Sequence, residues 1–308
     1  MRVLGLACRY PDANGADRLA DDPIQKVLLT VIPFRGRFQL STQRGPSFSR
    51  GVTMEQWERA EVARSSIEAE RTSPAALRVS KRTRARYECP TAATAYPLEF
   101  AYHLLGNVRG RQVLELGCGS GENTVCLVAR GANVCALDIS EELIGLARRR
   151  LNVSGCGGGD SCFVVGSAHQ LPLPDASVDV VFGIAILHHV DLSLVSREVH
   201  RVLRPGGRAI FQEPVRNSPT LRAVRSLIPW TAPDVSPFER PLTDDELQAF
   251  AAPFLSKRVR AFCLPHVIVG TLFARGHVDR LYRLDAALLR RIPGLQYYAG
   301  IRVIELIR

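Results

Sequence analysis

The stretch Val113-Leu-Glu-Leu-Gly-Cys-Gly-Ser-Gly121 decides the fold of this chain. Its first four residues are mainly Val and Leu, which is typical of a buried parallel strand. The three glycines that follow lack a Cβ atom, so the backbone can turn sharply and a ligand can lie against it. A helical pattern then starts near Glu122 and ends at Gly131. The stretch therefore predicts a strand, a tight glycine turn and a helix.

A second acidic residue follows the next apolar run. Residues 133–137 predict a strand, and Asp138 comes directly after it. In a doubly wound nucleotide-binding fold, a carboxylate at this point accepts hydrogen bonds from ribose hydroxyls. The loop itself reads Glu-x-Gly-x-Gly-x-Gly, whereas a dinucleotide fingerprint reads Gly-x-Gly-x-x-Gly. Glu115 would repel a pyrophosphate but suits a cationic ligand that carries an amino acid. The spacing therefore argues against a dehydrogenase.

With an acid on each side, this loop resembles the cofactor loop of class I S-adenosyl-L-methionine (SAM)-dependent methyltransferases. The resemblance covers about residues 95–308, and it is closest to the small-molecule branch with the ubiquinone/menaquinone methyltransferases and the methyltransferase type 11 domain. Leu-His-His at 187–189 and Leu-Arg-Pro-Gly-Gly at 203–207 carry that part of it. The resemblance implies SAM as cofactor and a small-molecule methyl acceptor. The cofactor residues it implies are Glu115, Gly117, Cys118, Gly119, Gly121, Asp138, Ile139, Ser167, Ala168 and Ile184.

One implied residue departs from the family pattern. The family usually has Asp where Ser167 stands, and that Asp holds the adenine amino group. A serine hydroxyl can accept one neutral hydrogen bond, whose net contribution is about 1 kcal/mol. We therefore expect adenine binding to depend more on backbone and apolar contacts. Cys118 is interpreted as a small packing residue rather than a nucleophile.

The remaining pattern predicts an α/β fold: a doubly wound, Rossmann-like seven-stranded sheet with the last strand antiparallel. The further strands are expected at residues 162–166, 178–183, 208–212, 258–263 and 301–307. Residues 1–53 are expected to be a poorly ordered N-terminal extension. Residues 54–308 form the predicted SAM-dependent methyltransferase domain, with a cofactor core at about 95–213 and a Pro-rich lid and final strands at 214–308. Helical patterns are expected from Met54 and over residues 94–105. The resemblance implies that these helices fold over the cofactor.

The acceptor side offers fewer signals. After the fourth strand there is no Asn/Asp-Pro-Pro-aromatic motif, no Pro-Cys pair and no metal-ligand pattern, which argues against methylation of nucleic-acid bases and against a metal. His188 and His189 are candidate general bases near neutral pH. Either could instead cap or pack under the next helix, and adjacent residues on one element rarely face the same way. Glu213, after the fifth strand, is a candidate for orienting the acceptor.

Composition leaves two other functions open. The net charge is +10, and residues 71–86 carry Arg and Lys without any acid, so an RNA or protein methyltransferase with a basic arm is one alternative. A solvated basic face explains the same run, and no aromatic residues alternate with it, which argues against a nucleic-acid partner. A non-catalytic SAM-binding protein is the other alternative.

No apolar run is long enough for a membrane span and eight cysteines form no Cys-x-x-Cys pair, so we expect a cytoplasmic location. The sequence does not predict the oligomeric state.

Overall fold

One mixed sheet organises the molecule. The computed structural model describes residues 53–73, 77–156, 161–220, 241–267 and 278–308. Within these ranges seven strands pair in the order β3-β2-β1-β4-β5-β7-β6. The strands are β1 (Gln112–Leu116), β2 (Asn133–Asp138), β3 (Ser161–Val165), β4 (Val178–Ile184), β5 (Leu203–Pro214), β6 (Ser256–Phe262) and β7 (Ile301–Ile307). The first five are parallel, and β7 runs antiparallel to both β5 and β6. The predicted fold class is confirmed.

Helices cover both faces of this sheet. In the described ranges they are α1 (Met54–Arg71), α2 (Lys81–Glu88), α3 (Pro97–Leu105), α4 (Glu122–Ala129), α5 (Glu141–Val153), α6 (Leu192–Val202), α7 (Asp244–Phe250) and α8 (Val278–Arg291). Two short 3₁₀ helices lie at Leu187–His189 and Pro293–Tyr298. None of these helices is both long enough and apolar enough to cross a bilayer.

Side chains that alternate between the two faces of the sheet form the two core layers. Val180 and Phe182 of β4 enter one apolar cluster, while Val181 between them enters the other. Successive side chains of a strand point to opposite faces, so a fully apolar strand needs a cover on each side. Helices α3 and α4 provide buried residues for the first cluster, and α6 and α7 provide them for the second. This packing fixes the carboxyl ends of the five parallel strands along one edge.

Two elements begin at other residues than predicted, and the backbone explains both differences. Helix α3 begins at Pro97 rather than Thr94, because the residue before a proline avoids the helical region and proline fits the first helical turn. Strand β5 begins at Leu203, five residues earlier than expected. Its pairing with β4 jumps from Leu203 to Arg208, so residues 204–207 form an irregularity within the strand. Residues 1–52 and most of the predicted Pro-rich lid, residues 221–240, lie outside the described residues.

Candidate functional site

The glycine loop joins β1 to α4 with all three glycines at positive φ. The φ values are 71° at Gly117, 52° at Gly119 and 83° at Gly121. A Cβ on Gly117 would come within 2.7 Å of Ile186, and one on Gly121 within 2.7 Å of Ala147. A Cβ on Gly119 would meet no atom within 4 Å. Packing therefore requires the outer two glycines, while the middle one borders open space.

Asp138 lies directly against this loop. It is the last residue of β2 and is 8% exposed. Its Oδ2 accepts a hydrogen bond from Gly119 N at 2.8 Å, and its Oδ1 accepts one from Ser140 N at 3.0 Å. The two backbone donors fix the carboxylate at the mouth of the open space beside Gly119. The structure thus brings together the loop and the acid that the sequence paired.

Glu115 occupies a different environment from Asp138. Its side chain is buried at the end of β1, where Oε2 accepts a hydrogen bond from the Thr124 hydroxyl. Burial raises the pKa of Glu115 to about 8; the Thr124 hydrogen bond opposes that shift and the nearby Asp138 charge adds to it. Near neutral pH this carboxyl therefore holds its proton in the ligand-free chain.

Two buried side chains complete the back of the loop. Cys118 is 6% exposed, and burial raises the pKa of its thiol well above 9, as expected for a packing residue. Arg150 of α5 is 2% exposed, and its guanidinium donates to Ser120 O at 2.7 Å and Ser120 Oγ at 3.1 Å. Arg150 could not be identified from the sequence, because nothing in the pattern of a surface helix marks one arginine of three as buried.

Helix α1 closes the site beyond Asp138. Glu58 of α1 and Ile139 line an open cleft of about 420 Å³ with Glu55, Arg59, Val62 and Ala63. At the loop after β3, Ser167 Oγ donates to Glu58 Oε1 at 2.6 Å. Ala168 beside it is 9% exposed and packs into the second core cluster. The structure therefore brings Ser167 against a carboxylate from α1 that the sequence analysis did not identify.

The candidate acceptor residues meet where β4 and β5 end. Ile184 is half-buried as the last residue of β4, and Ala185 after it has a φ of 57°, which is uncommon for a residue with a Cβ. Glu213 is 0% exposed and its Oε1 accepts from the backbone N–H groups of the following turn, at 2.9 Å from Ile186 N and 2.8 Å from Leu187 N. Its Oε2 lies 2.8 Å from His188 Nδ1. Protein groups thus surround the Glu213 carboxylate, and it positions the turn and the His188 ring.

The two histidine rings lie side by side. Their centroids are 4.1 Å apart, although the two residues are consecutive in one short 3₁₀ turn. Here the general expectation that neighbours face apart was wrong. His189 Nδ1 lies 3.1 Å from Glu61 Oε2 of α1, and Trp57 Nε1 donates to His189 O at 2.8 Å. Helix α1 therefore contacts the turn after β4 as well as the loop after β3.

Gln212 is a further side chain that the sequence analysis missed. It is 1% exposed, and neither atom of its amide has a hydrogen-bond partner in the described part of the chain. Its strand neighbours are Ile184 on β4 and Val303 on β7. Buried polar groups without partners are rare and call for a specific explanation, such as a ligand or an ordered water.

The basic segment at 71–86 is partly used inside the fold. Arg86 Nε donates to Glu99 Oε1 at 2.7 Å, and Arg84 Nη1 donates to Cys156 Sγ at 3.0 Å. Both arginines are partly buried, whereas Arg78 and Lys81 are exposed. The segment is therefore not one continuous basic surface.

Comparison with known proteins gives one family and several relatives. Residues 114–211 match the family model described as a methyltransferase domain. An uncharacterized methyltransferase of Mycobacterium tuberculosis is 40% identical over 114 residues, which are 37% of this chain and 44% of that protein. The ubiquinone/menaquinone biosynthesis C-methyltransferase UbiE of Rubrivivax gelatinosus is 38% identical over 109 residues, 34% of this chain and 39% of that protein. The chain thus spans less than half the length of these relatives.

A solved structure shares the fold. Phosphoethanolamine N-methyltransferase 1 of Haemonchus contortus matches with a TM-score of 0.52 and 14% identity, covering 85% of this chain and 51% of that one. At this level of identity the match concerns the backbone architecture alone.

Proposed function

We propose that this chain transfers a methyl group from SAM to a small-molecule acceptor. Its residues 114–211 match the family model described as a methyltransferase domain. One observation carries the proposal. The Asp138 carboxylate is fixed by Gly119 N at 2.8 Å, beside open space at the carboxyl edge of the sheet. In open α/β sheets this edge is where nucleotide ligands bind.

The residues present fit SAM. The glycine loop leaves room against its backbone at Gly119, and Glu115 behind it can take a negative charge opposite an ammonium group. The Asp138 carboxylate, oriented by the N–H groups of Gly119 and Ser140, stands at the end of β2, where a ribose hydroxyl can donate to it. Ile139 offers an apolar wall for the base. When bound, SAM supplies a methyl group already activated on a sulfonium, so the protein contributes binding and orientation.

His188 is the proposed general base. With Glu213 Oε2 2.8 Å from its Nδ1, the neutral ring keeps its proton on Nδ1 and presents the lone pair of Nε2. That atom can take a proton from an acceptor hydroxyl, amine or activated carbon. Glu213 is then a positioning residue, since its three hydrogen bonds fix the turn and the ring. His189, held near Glu61, is the second candidate for the same role.

Two observations support a small-molecule acceptor. The buried amide of Gln212 offers one acceptor and two donors beside the end of β4, and such a group suits one polar function of a small ligand. Arg84 and Arg86 are engaged within the fold, which leaves a shorter basic surface for RNA. The proposal covers oxygen, nitrogen and activated carbon as the methyl-accepting atom and does not choose among them.

A transfer assay with SAM labelled in its methyl group tests this function. The full chain is incubated with separate small-molecule, RNA and protein fractions, and labelled product and S-adenosylhomocysteine are quantified. We expect label in the small-molecule fraction, no transfer by Asp138→Ala, and a loss of about 10²–10⁴-fold in His188→Gln, because a general base contributes in this range. Exposed Asp245→Ala is the matched control. Label only in RNA or protein, or binding without any transfer, would contradict the proposal.

A further inference from the structure

Helix α1 brings a carboxylate to the nucleotide end of the site. We propose that Glu58 determines specificity for the nucleobase by accepting a hydrogen bond from the exocyclic 6-amino group of adenine. This rests on the proposed function, since it assumes an adenosyl ligand beside Asp138. It assigns a recognition role to a residue outside the 114–211 domain match.

Two side chains of the loop after β3 fix the Glu58 carboxylate. Ser167 Oγ donates to Glu58 Oε1 at 2.6 Å, and His169 Nδ1 lies 3.2 Å from the same oxygen. Ser167 Oγ in turn accepts from His169 N at 3.1 Å, so the Ser167 proton is directed to Glu58. The serine that replaces the expected aspartate therefore holds a carboxylate from another element.

The tautomer of His169 follows from its other nitrogen. Asp191 N donates to His169 Nε2 at 2.9 Å, so Nε2 carries a lone pair. The proton of the neutral ring must then be on Nδ1, which lies 3.2 Å from Glu58 Oε1 and 3.0 Å from Ser167 Oγ. Oε1 is therefore bounded by two donors, and among the described residues Oε2 makes no hydrogen bond. The Glu58 carboxylate is oriented, with Oε2 as its remaining acceptor.

The cleft places this acceptor next to the nucleoside site. Ile139 and Glu58 line the same cleft, and Ile139 directly follows the ribose-binding candidate Asp138. A base attached to that ribose would lie against Ile139. The cleft also contains Glu55, but its carboxylate forms an ion pair with Arg59 on the exposed side of α1. Glu58 is therefore the carboxylate of this cleft that is fixed by the strand-end loop.

The variant Glu58→Gln tests the proposed hydrogen bond to the base, because an amide has one acceptor end and one donor end. The donors Ser167 and His169 require the amide oxygen at the Oε1 position, so the NH₂ group takes the Oε2 position. That NH₂ would oppose a 6-amino group and would suit a 6-oxo group. Calorimetry on the full chain should compare S-adenosylhomocysteine with S-inosylhomocysteine, which has oxygen at position 6.

We expect the unaltered chain to prefer the adenosyl ligand. In Glu58→Gln that preference should fall by about tenfold to a hundredfold, the range for loss of a hydrogen bond to a charged group, and the inosyl ligand should gain affinity. Glu55→Gln is the control, with the same charge change on the same helix, and should keep the original preference. Thermal unfolding of each variant establishes that it is folded.

Three outcomes would overturn the inference. An unchanged preference in Glu58→Gln would overturn it alone, with the proposed function intact. An equal loss of the adenosyl preference in Glu55→Gln would show a general charge effect and would also overturn the inference. Failure of the unaltered chain to bind either ligand would overturn the proposed function and this inference together.

Discussion

Two carboxylates of the site have opposite surroundings. Asp138 receives backbone N–H groups at both oxygens, whereas Glu115 is enclosed in the core with the Thr124 hydroxyl as partner. Burial raises the pKa of Glu115 to about 8. An acid kept protonated in the ligand-free chain can ionise when a cationic ligand arrives, so cofactor binding and proton release are linked at this residue.

Glu115→Gln should therefore change the pH dependence of stability. Below pH 4.5 the carboxyl is protonated in both folded and unfolded chains. Between pH 4.5 and about 8 the unfolded chain loses this proton while the folded chain keeps it, so the free energy of unfolding falls, and above pH 8 the penalty is constant. Thermal unfolding without ligand should show the variant to be more stable than the unaltered chain at pH 8 and equal to it near pH 4.5.

Exposed Glu141→Gln serves as the control and should not reproduce that difference. Parallel stability curves for Glu115→Gln and the unaltered chain from pH 4.5 to 9 would contradict the assignment of a raised pKa. The same variant should bind S-adenosylhomocysteine more weakly, a gain in stability at the expense of function that is common in binding sites.

At the level of elements, helix α1 connects two loops of the site. Trp57 and Glu61 contact the turn after β4, and Glu58 contacts the loop after β3. A capping box at Thr53 and Gln56 defines the start of this helix. Besides these polar contacts, α1 packs Ala69 against a small apolar cluster and supplies none of its described residues to the two main core clusters, which predicts that it opens more readily than the sheet beneath it.

Trp57→Phe should loosen α1 selectively. The change keeps an aromatic ring and removes the 2.8 Å hydrogen bond to His189 O, whose net contribution is about 1 kcal/mol, or roughly a fivefold change in an opening equilibrium. Hydrogen exchange followed by mass spectrometry should show faster exchange in α1 and unchanged exchange in α4. Ile67→Ala, at an exposed position of α1, is the control. Equal exchange of α1 in Trp57→Phe and the unaltered chain would contradict this role.

Features set by neighbouring residues could be predicted from the sequence, whereas contacts between distant segments could not. The strand, glycine turn and Asp138 lie within 26 residues, and short-range periodicity and glycine chemistry indicate them directly. Glu58 and Ser167 are 109 residues apart, and no feature of either segment marks the other as its partner. The enclosure of Glu213 and the stacking of the histidines likewise depend on how the turn after β4 folds back onto β5.

At the level of the whole molecule, strand order creates the site. Placing β1 between β2 and β4 brings Leu116, Asp138 and Ile184 to one edge, although they are far apart in sequence. The antiparallel pair β7-β6 extends the sheet on the acceptor side. In the proposed site, the cofactor and acceptor regions therefore meet at the end of β4, where the histidines lie. The central claim is that one adenosyl ligand binds across β1, β2 and β3 at this edge.

Calorimetric titration of the full chain with S-adenosylhomocysteine tests that claim most directly. We predict one binding site in the unaltered chain, and a strong loss of affinity in Asp138→Ala and in Gly119→Val, since the first removes the ribose acceptor and the second fills the space beside the loop. Asp245→Ala should bind like the unaltered chain. Unchanged affinity in both Asp138→Ala and Gly119→Val would contradict the placement of the site.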